Sequence, residues 1–248
     1  MELKQFFASY PEAAIAFSGG VDSAYLLYAA IQYGKRVKAY YVKTAFQPQF
    51  ELEDAFRLAK ELGAEMQVLE VDILCDTAVT ANPADRCYHC KKNLFSRILK
   101  AAKEDGFSLL LDGTNFSDEA SDRPGMRAIS ELSVRSPLRE CGLTKAEIRQ
   151  RSKDAGLFTH DKPAYACLAT RIPTGEVITQ EKLQRTERAE AFLSQLGFRD
   201  FRVRCQGNTA KIQVRGPNLS LLMQHREAIL TELKKYYTSV LLDLEVRK

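Results

Sequence analysis

The amino-acid sequence predicts an α/β fold, in which a parallel sheet has helices on both faces and a small α+β unit follows it. Three observations predict this class. In the first part of the chain, short apolar runs alternate with segments of helical spacing, the order of a parallel sheet with right-handed crossovers. After residue 179, a long helical segment precedes strand-like and helical runs in a different order. The chain has 248 residues, of which 45% are hydrophobic, and this length permits one large domain with a small appendage.

Each element of the first part is predicted from a local pattern. Apolar runs bounded by turn residues indicate strands, and apolar residues three or four positions apart indicate helices. Thr144, followed three residues later by Glu147, forms a capping box that starts a further helix. The predicted strands are residues 13–17, 37–42, 65–72 and 109–111, and the other predicted helices are residues 24–31, 51–62 and 91–103.

The second part begins where this periodicity fails. Residues 161–179 contain three threonines, two prolines and a glycine, which marks a loop or linker. We therefore expect a first domain at residues 1–165 and a second domain at residues 166–248. Within the second domain the predicted helices are residues 180–196 and 218–236, and the predicted strands are residues 199–205, 210–214 and 239–246.

Composition narrows the class of protein. The chain has 36 basic and 32 acidic residues, a net charge of +4, which is weak evidence for a nucleic-acid partner and compatible with a nucleotide substrate. No apolar stretch approaches the roughly 20 residues that a membrane-spanning helix needs, so we expect a cytoplasmic protein without a membrane partner. In that reducing compartment its six cysteines are expected to be thiols with metal-binding, catalytic or packing roles.

Residues 18–23 have the sequence Ser-Gly-Gly-Val-Asp-Ser and lie between a predicted strand and a predicted helix. Adjacent glycines allow a sharp turn and a close approach to a ligand, and the helix start presents N–H groups to an anion. An ordinary turn with Ser18 or Asp22 as the N-cap is the structural alternative. The segment lacks the Gly-Lys-Ser/Thr ending of a Walker loop and resembles the PP-loop of the N-type ATP pyrophosphatases. We therefore expect it to bind ATP.

This resemblance implies that ATP is cleaved between its α and β phosphates to adenylate an oxygen atom. Residues 112–115, Asp-Gly-Thr-Asn, also follow a predicted strand, and parallel sheets bind ligands at the carboxyl ends of their strands. A departing pyrophosphate calls for Mg²⁺, for which Asp22 is the nearest acidic residue. Arg123 lies close in sequence to Arg127, and two neighbouring guanidinium groups suit an anion. The expected nucleotide-binding residues are Ser18, Gly19, Gly20, Asp22, Ser23, Gly113, Thr114, Asn115 and Arg123.

Three cysteines have sequence contexts that indicate chemistry. Cys87 and Cys90 are three residues apart near a predicted helix start, so they supply half of a tetrahedral zinc site. They also supply two of the three thiolates of an iron–sulfur cluster, with Cys167 as the third. Zinc would need further donors, for which His89, His160 and Cys167 are the candidates. A redox pair and unligated thiols are the other interpretations.

Cys167 lies in the irregular segment and close in sequence to Arg171. This context favours an ionised, nucleophilic thiol, and an inert loop cysteine is the alternative. Arg202 and Arg204 alternate along a predicted strand, which turns both guanidinium groups to one face. Such a pair suits a phosphate or a carboxylate, and solvated surface charge is the competing interpretation.

Seven blocks of sequence occur in an order that resembles the LarE family. That family consists of ATP-dependent sulfur transferases that make the nickel-pincer nucleotide cofactor of lactate racemase. The resemblance implies a Rossmann-like PP-loop domain of the adenine nucleotide alpha hydrolase type and a C-terminal α+β domain for substrate binding and sulfur transfer. It also implies a homo-oligomer, with a hexamer known in the family. The blocks are residues 18–23, 86–91, 112–115, 122–125, 135–138, 166–173 and 202–204.

The resemblance further implies the reaction. LarE proteins adenylate a carboxylate of pyridinium-3,5-biscarboxylic acid mononucleotide, release pyrophosphate and install sulfur to give a thiocarboxylate. Cys167 matches the cysteine that attacks the acyl-adenylate and surrenders its own sulfur, becoming dehydroalanine. Arg202 and Arg204 match residues that hold the phosphate of the substrate.

This chain departs from the single-cysteine members of the family at Cys87 and Cys90. With Cys167, these two residues resemble the ligands of LarE relatives, and of related tRNA thiolases, that hold a 4Fe-4S cluster. The sacrificial and cluster routes therefore both stay open. A tRNA thiolase, an amidating enzyme similar to NAD or GMP synthetases, and an ATP-binding protein without catalysis are the alternative functions.

Overall fold

A computed structural model describes residues 1–118 and 124–245 of the chain. It divides into two compact units. The first unit consists of Met1–Ile73 and Asp85–Lys162, and the second consists of Leu74–Ala84 and the chain from Pro163 onward. The expected boundary between independent domains at residues 165 and 166 stays a prediction, and the pattern analysis did not anticipate that Leu74–Ala84 joins the second unit.

The sheet of the first unit has the strand order β3-β2-β1-β4, and every pair within it is parallel. Its strands are β1 Glu12–Ala16, β2 Arg36–Lys43, β3 Glu65–Glu70 and β4 Leu110–Leu111. The chain builds outward from β1 to β3 and then returns to the other side of β1 with β4. The carboxyl ends of β1 and β4 therefore form a topological switch point, where open α/β sheets bind ligands. The predicted α/β class is confirmed.

Side chains of the central strands alternate between two apolar cores, one on each face of the sheet. On one face, Ile15 and Tyr41 pack with the helices that precede and follow β1. On the other face, Ala14 and Tyr40 pack with Ile98 of a later helix. Helices therefore cover both faces, as the sequence predicts for a Rossmann-like sheet.

Each helix predicted in the first unit is present, but helices Pro124–Glu131 and Pro137–Glu140 were not predicted, and there are two further differences. A first helix, Leu3–Ser9, was not predicted, although it buries two phenylalanines against the core. The helix predicted at residues 91–103 begins earlier, so that it includes both cysteines of the Cys-x-x-Cys motif. The helices are α1 Leu3–Ser9, α2 Val21–Tyr33, α3 Gln49–Glu61, α5 Arg86–Glu104, α6 Pro124–Glu131, α7 Pro137–Glu140 and α8 Lys145–Asp154.

The second unit contains a three-stranded sheet of order β5-β6-β7, in which β5 and β6 are antiparallel and β6 and β7 are parallel. The predicted helix at residues 218–236 is interrupted at His225, and the last strand ends before its predicted end, residue 246, which lies outside the described residues. The small α+β unit is confirmed. Its elements are α4 Thr77–Thr80, α9 Gln180–Gln195, α10 Leu219–Gln224, α11 Arg226–Leu233, β5 Arg202–Gln206, β6 Thr209–Gln213 and β7 Ser239–Leu242.

In the described part of the chain, no helix combines the length and the apolar character needed to cross a membrane.

Candidate active site

Hydrogen bonds within the loop between β1 and α2 fix its conformation. Gly19 has a φ of +71°, and a Cβ at this position would lie 3.3 Å from the carbonyl oxygen of Glu51. Ser23 Oγ accepts a hydrogen bond from Ser18 N at 3.2 Å and donates one to the carbonyl of Gly20 at 3.2 Å. The N-cap residue of α2 is Gly20, which has no side chain that could accept a hydrogen bond from the first turn, so this helix start suits an anion.

The segment after β4 packs directly on this loop. A Cβ on Gly113 would lie 2.8 Å from Ser23 N, a distance that real Cβ atoms essentially never show, and 3.0 Å from Ser23 Cα. Any side chain at residue 113 would therefore displace the start of α2. The structure thus brings together the two segments, residues 18–23 and 112–115, that the sequence analysis assigned to nucleotide binding.

Polar side chains of the second segment are buried and shape its turn. Ser136 Oγ donates a hydrogen bond to Asp112 Oδ1 at 2.5 Å, and Thr114 Oγ1 donates one to Asp112 Oδ2 at 2.5 Å. Asn115 Oδ1 accepts a hydrogen bond from Ser117 N at 2.8 Å. These contacts fix the backbone beside the PP-loop, and the nucleotide contacts expected of Thr114 and Asn115 stay predictions.

Asp22 is the acidic residue of the PP-loop. Its Oδ2 accepts a hydrogen bond from Lys145 Nζ at 2.5 Å, whereas its Oδ1 is buried without a hydrogen-bond partner among the described residues. Burial is the main cause that raises the pKa of Asp22, the charge of Asp118 adds to it, and Lys145 opposes it. A buried, unpaired carboxylate oxygen beside a phosphate-binding loop is a donor that suits Mg²⁺. The residues present therefore fit the ion that the sequence analysis expected.

Two lysines at the PP-loop were missed by the sequence analysis. Lys145, the first residue of α8, reaches Asp22, and Lys162 Nζ lies 2.7 Å from Asp54 Oδ2 and 3.4 Å from the carbonyl oxygen of Gly19. The only signal for Lys145 was its position directly after a helix cap, and nothing in the local sequence indicated Lys162. Two ammonium groups beside the PP-loop suit a site for polyphosphate.

Cys167 lies in the second unit, immediately before a 3₁₀ turn formed by Leu168–Arg171, and its side chain is half-buried. Arg171, which was expected from its closeness in sequence to favour ionisation of the thiol, is fully buried and forms an ion pair with Glu190 at 2.8 Å. The arginine therefore belongs to the framework of the Cys167 turn.

Arg202 and Arg204 also contact this turn. Arg202 Nη2 donates a hydrogen bond to the carbonyl of Ala164 at 2.7 Å, and Arg204 Nη1 donates one to the carbonyl of Thr170 at 2.5 Å. Arg202 is buried in β5, and Arg204 is half-buried. The alternation predicted for this strand is correct, and both guanidinium groups bind backbone carbonyl groups that flank Cys167.

Cys87 and Cys90 lie in the first two turns of α5 in the first unit. Cys87 is exposed and Cys90 is half-buried. Arg86 Nη2 lies 3.7 Å from the sulfur of Cys87. None of the six cysteines, all of which are described, forms a disulfide.

Comparison with known proteins identifies the family. The family of queuosine biosynthesis protein QueC matches residues 12–93, which include the PP-loop. Uncharacterized protein slr1717 of Synechocystis sp. is 41% identical over 86% of this chain and 80% of its own length. Pyridinium-3,5-bisthiocarboxylic acid mononucleotide synthase of Lactiplantibacillus plantarum is 34% identical over 81% of this chain and 73% of its own length. The chain belongs to the LarE family. It is therefore an ATP-dependent sulfur-transfer enzyme of the PP-loop class.

LarE membership does not favour the tRNA thiolase alternative. The tRNA-specific 2-thiouridylase MnmA of Thermotoga maritima is 27% identical and covers 61% of this chain and 54% of its own length. This match is weaker and shorter than the match to the synthase. An amidating enzyme would leave Cys167 without a role, and the family assignment argues against a protein without catalysis.

The expected cluster ligands of this LarE protein come from both units, with Cys87 and Cys90 in the first and Cys167 in the second. Among residues 1–118 and 124–245, no group of three or more His, Cys, Asp or Glu side chains could hold a metal ion. The role of Cys87, Cys90 and Cys167 as ligands of one cluster stays a prediction. The same finding gives no support to zinc.

One expected nucleotide-binding residue of the LarE protein, Arg123, lies outside the described residues, as does Asp122 of the same block. The expected role of Arg123 stays a prediction. Its neighbour Gly125 is described, and a Cβ there would lie 2.9 Å from Cδ of Lys91.

Proposed function

We propose that this protein uses ATP to adenylate a carboxylate of pyridinium-3,5-biscarboxylic acid mononucleotide and then replaces a carboxylate oxygen by sulfur. Pyrophosphate and AMP are the other products, and the thiocarboxylate serves nickel-pincer cofactor synthesis. The observation that carries this proposal is the 34% identity with the bisthiocarboxylic acid mononucleotide synthase over 73% of that protein. The geometry of the PP-loop supports the adenylation step.

Adenylation needs a site that binds the β and γ phosphates of ATP and stabilises pyrophosphate as it departs. The uncapped N–H groups at the start of α2 would bind the phosphates, and Lys145 and Lys162 supply positive charge at the same loop. Mg²⁺, held by Asp22 together with phosphate oxygens and water, would neutralise the charge that develops on the leaving group. Gly113 keeps the backbone of this site compact.

Sulfur transfer needs a nucleophile that attacks the activated carboxyl carbon, and we assign this role to the Cys167 thiolate. Its sulfur bonds to that carbon, the carbon–oxygen bond to the phosphate breaks, and AMP leaves with the electron pair. A base then removes the Cα proton of Cys167, and the Cβ–Sγ bond breaks towards sulfur. The thiocarboxylate leaves, and residue 167 remains as dehydroalanine. The step balances without an oxidant or a reductant.

Arg202 and Arg204 are proposed to bind the phosphate of the substrate. Arg202 also donates a hydrogen bond to the carbonyl of Phe201 at 2.6 Å, and Arg204 Nε donates one to Gln213 Oε1 at 2.8 Å. A guanidinium group has five N–H donors and can therefore bind several acceptors at once. Arg204 is the better candidate of the two because its side chain is half-buried, whereas Arg202 is buried. Their contacts with the Cys167 turn would place the substrate phosphate beside the nucleophile.

These steps follow the sacrificial route, and a cluster route through Cys87, Cys90 and Cys167 is the alternative that the family resemblance implies. A homo-oligomer, expected from the family resemblance, is part of the proposal, and analytical ultracentrifugation measures the number of subunits.

Incubation of the protein with ATP, Mg²⁺ and the biscarboxylic acid mononucleotide tests the proposal. We expect Cys167→Ala to abolish thiolation and to retain pyrophosphate release within about twofold, because the thiol acts only after activation. Mass spectrometry of the wild-type chain should show loss of one sulfur and two hydrogens at residue 167. Cys141→Ala is the matched control, since this half-buried cysteine lies in the first unit and has no proposed role.

Two outcomes would contradict this assignment. If a folded Cys167→Ala variant no longer released pyrophosphate, the thiol would be needed for adenylation, and our assignment of Cys167 to the later sulfur-transfer step would be wrong. The second outcome is a brown wild-type protein that, when purified without oxygen, contains iron and acid-labile sulfide and completes multiple turnovers. If the Cys87→Ser variant loses both the colour and the multiple turnovers, the cluster route replaces the sacrificial route.

A further inference from the structure

The turn that carries Cys167 is held by three arginines, each of which binds a different backbone carbonyl. Arg202 binds the carbonyl of Ala164, Arg171 Nη1 binds that of Ala166 at 2.9 Å, and Arg204 binds that of Thr170. These carbonyl groups lie on both sides of Cys167 in the sequence. The carbonyl of Cys167 itself accepts hydrogen bonds from Thr170 N at 3.0 Å and Thr170 Oγ1 at 2.8 Å.

Arg171 is the central residue of this arrangement because it is fully buried and oriented by one acidic partner. Its Nε lies 2.8 Å from Glu190 Oε1, and its Nη2 lies 3.0 Å from Glu190 Oε2, a bidentate pair. The side chain of Arg171 is 0% exposed and that of Glu190 is 6% exposed. Burial acts to lower the pKa of Arg171, but the hydrogen bonds and charge of Glu190, with smaller contributions from Tyr165 and Cys167, raise it overall.

Glu190 also connects the pair to both neighbouring segments. Its Oε2 accepts a hydrogen bond from Tyr165 OH at 2.6 Å, and its Oε1 accepts one from Val203 N at 2.9 Å. With the two bonds from Arg171, the carboxylate accepts four hydrogen bonds, which is about the number of lone-pair sites that an ionised carboxylate offers. A glutamine cannot accept four, because one of its two polar atoms is a donor.

A buried ion pair is an expensive way to stabilise a fold, since the desolvation of two charges offsets much of their attraction. Here the ion pair holds the Arg171 side chain in one conformation inside the protein, so that it can bind the carbonyl of Ala166. An arginine on the surface would be more mobile and would not fix that carbonyl. The pair thus acts on the residue directly before Cys167.

We propose that Glu190 is a positioning residue for Cys167: through Arg171 it fixes the turn so that the thiol stands in one orientation for attack on the activated substrate. The proposal rests on the proposed function for the identity of the reaction. The orientation of the thiol itself is measured independently of sulfur transfer, by the rate at which iodoacetamide alkylates Cys167.

Glu190→Gln tests the proposal in the full-length protein. We expect thiolation in a single turnover to fall at least about tenfold, because small displacements of a nucleophile cost large factors in rate. Pyrophosphate release should stay within about twofold of wild type. Alkylation of Cys167, followed by peptide mass spectrometry, should accelerate at least about threefold because the half-buried thiol becomes more mobile. Glu181→Gln, an exposed glutamate at the start of the same helix, is the matched control and should change none of these rates.

The double variant Arg171→Met with Glu190→Met separates positioning from folding. Apolar residues of similar volume often replace a buried ion pair without loss of stability, so its melting temperature should stay near that of wild type. Its thiolation should remain low and its alkylation fast, since nothing holds the Ala166 carbonyl. This variant also serves if Glu190→Gln does not fold.

A folded double variant with wild-type thiolation and wild-type alkylation would overturn the proposal. If the wild-type protein thiolates nothing, but alkylation of Cys167 accelerates in either variant, the positioning role stands and the proposed function fails. If alkylation is unchanged in both variants, the positioning role fails whatever the reaction is.

Discussion

At the scale of single residues, Gly113 shows how one missing side chain shapes the candidate nucleotide site. The space that a Cβ would need at this position is occupied by the backbone of Ser23 in the PP-loop. Backbone atoms cannot turn aside as a flexible side chain does, so an added methyl group must move the loop or β4.

Gly113→Ala is therefore expected to weaken ATP binding at least about tenfold and to lower the free energy of unfolding by about 1–3 kcal/mol. Isothermal titration with a non-hydrolysable ATP analogue and chemical denaturation measure the two effects. Gly216→Ala is the control, because a Cβ there meets nothing within 4 Å and its φ is not positive. Unchanged affinity in Gly113→Ala would mean that the nucleotide does not bind at the contact between Gly113 and Ser23.

Single residues also mark the limit of prediction from the sequence. Gly113 was assigned to the site because it follows a strand, but the reason for a glycine there is a close approach that only the packing reveals. Arg171 was interpreted only as a cation close to the thiol, and the structure buries its side chain and bonds it to the carbonyl of Ala166. Arg202 is likewise buried and bonded to the carbonyl of Ala164, and its expected role in anion binding stays a prediction. Local patterns specify which face of a strand a side chain occupies, and the tertiary neighbours decide what it meets there.

At the scale of elements, α8 links a helix cap to the PP-loop. The predicted capping box is present: Thr144 Oγ1 accepts a hydrogen bond from Glu147 N at 3.3 Å, and Thr144 N donates one to Glu147 Oε2 at 2.8 Å. The sequence analysis interpreted this cap as purely structural. It also fixes the start of the helix at Lys145, whose ammonium group binds Asp22.

Thr144→Ala is expected to lower the free energy of unfolding by about 1 kcal/mol through loss of the cap. Because the first turn of α8 frays, Lys145 should hold Asp22 less firmly, and the Michaelis constant for ATP should rise about threefold or more. Thr179→Ala is the matched control, since Thr179 caps α9 in the second unit by the same kind of bond. The Thr179→Ala variant should lower the free energy of unfolding by a similar amount and leave the Michaelis constant for ATP unchanged. Equal kinetic effects of both variants would show that the cap of α8 acts on stability alone.

At the scale of the whole molecule, the parallel sheet was predictable from the sequence, whereas its strand order and the inclusion of Leu74–Ala84 in the second unit were not. Segments with the apolar spacing of a strand alternate along the chain with segments of helical spacing, and this alternation indicated a parallel sheet. The signal is readable because nearby residues specify each strand and each helix. The segment Leu74–Ala84 joins the second unit through contacts almost a hundred residues away. Asn82, fully buried, donates hydrogen bonds from Nδ2 to the carbonyls of Pro173 at 2.7 Å and Glu176 at 3.1 Å. Such long-range pairing leaves no periodic signal in the sequence.

A fragment of residues 166–248 should therefore fail to fold independently, because it lacks the segment that satisfies those carbonyl groups. Circular dichroism and hydrogen exchange of the isolated fragment would check this. A fragment in which residues 74–84 are joined to residues 163–248 by a flexible linker should show more secondary structure and slower exchange. A cooperatively folded 166–248 fragment would instead support the domain boundary predicted from the sequence.

The path of the chain between the units has a practical outcome for anyone who builds hybrids of related enzymes. The polypeptide passes from one unit to the other at three places, after Ile73, after Ala84 and after Lys162. A chimera made by a single exchange near residue 165 would combine the Asn82 segment of one parent with the Pro173 loop of the other. Donor and recipient would have to be matched at both segments for a swapped second half to keep its shape.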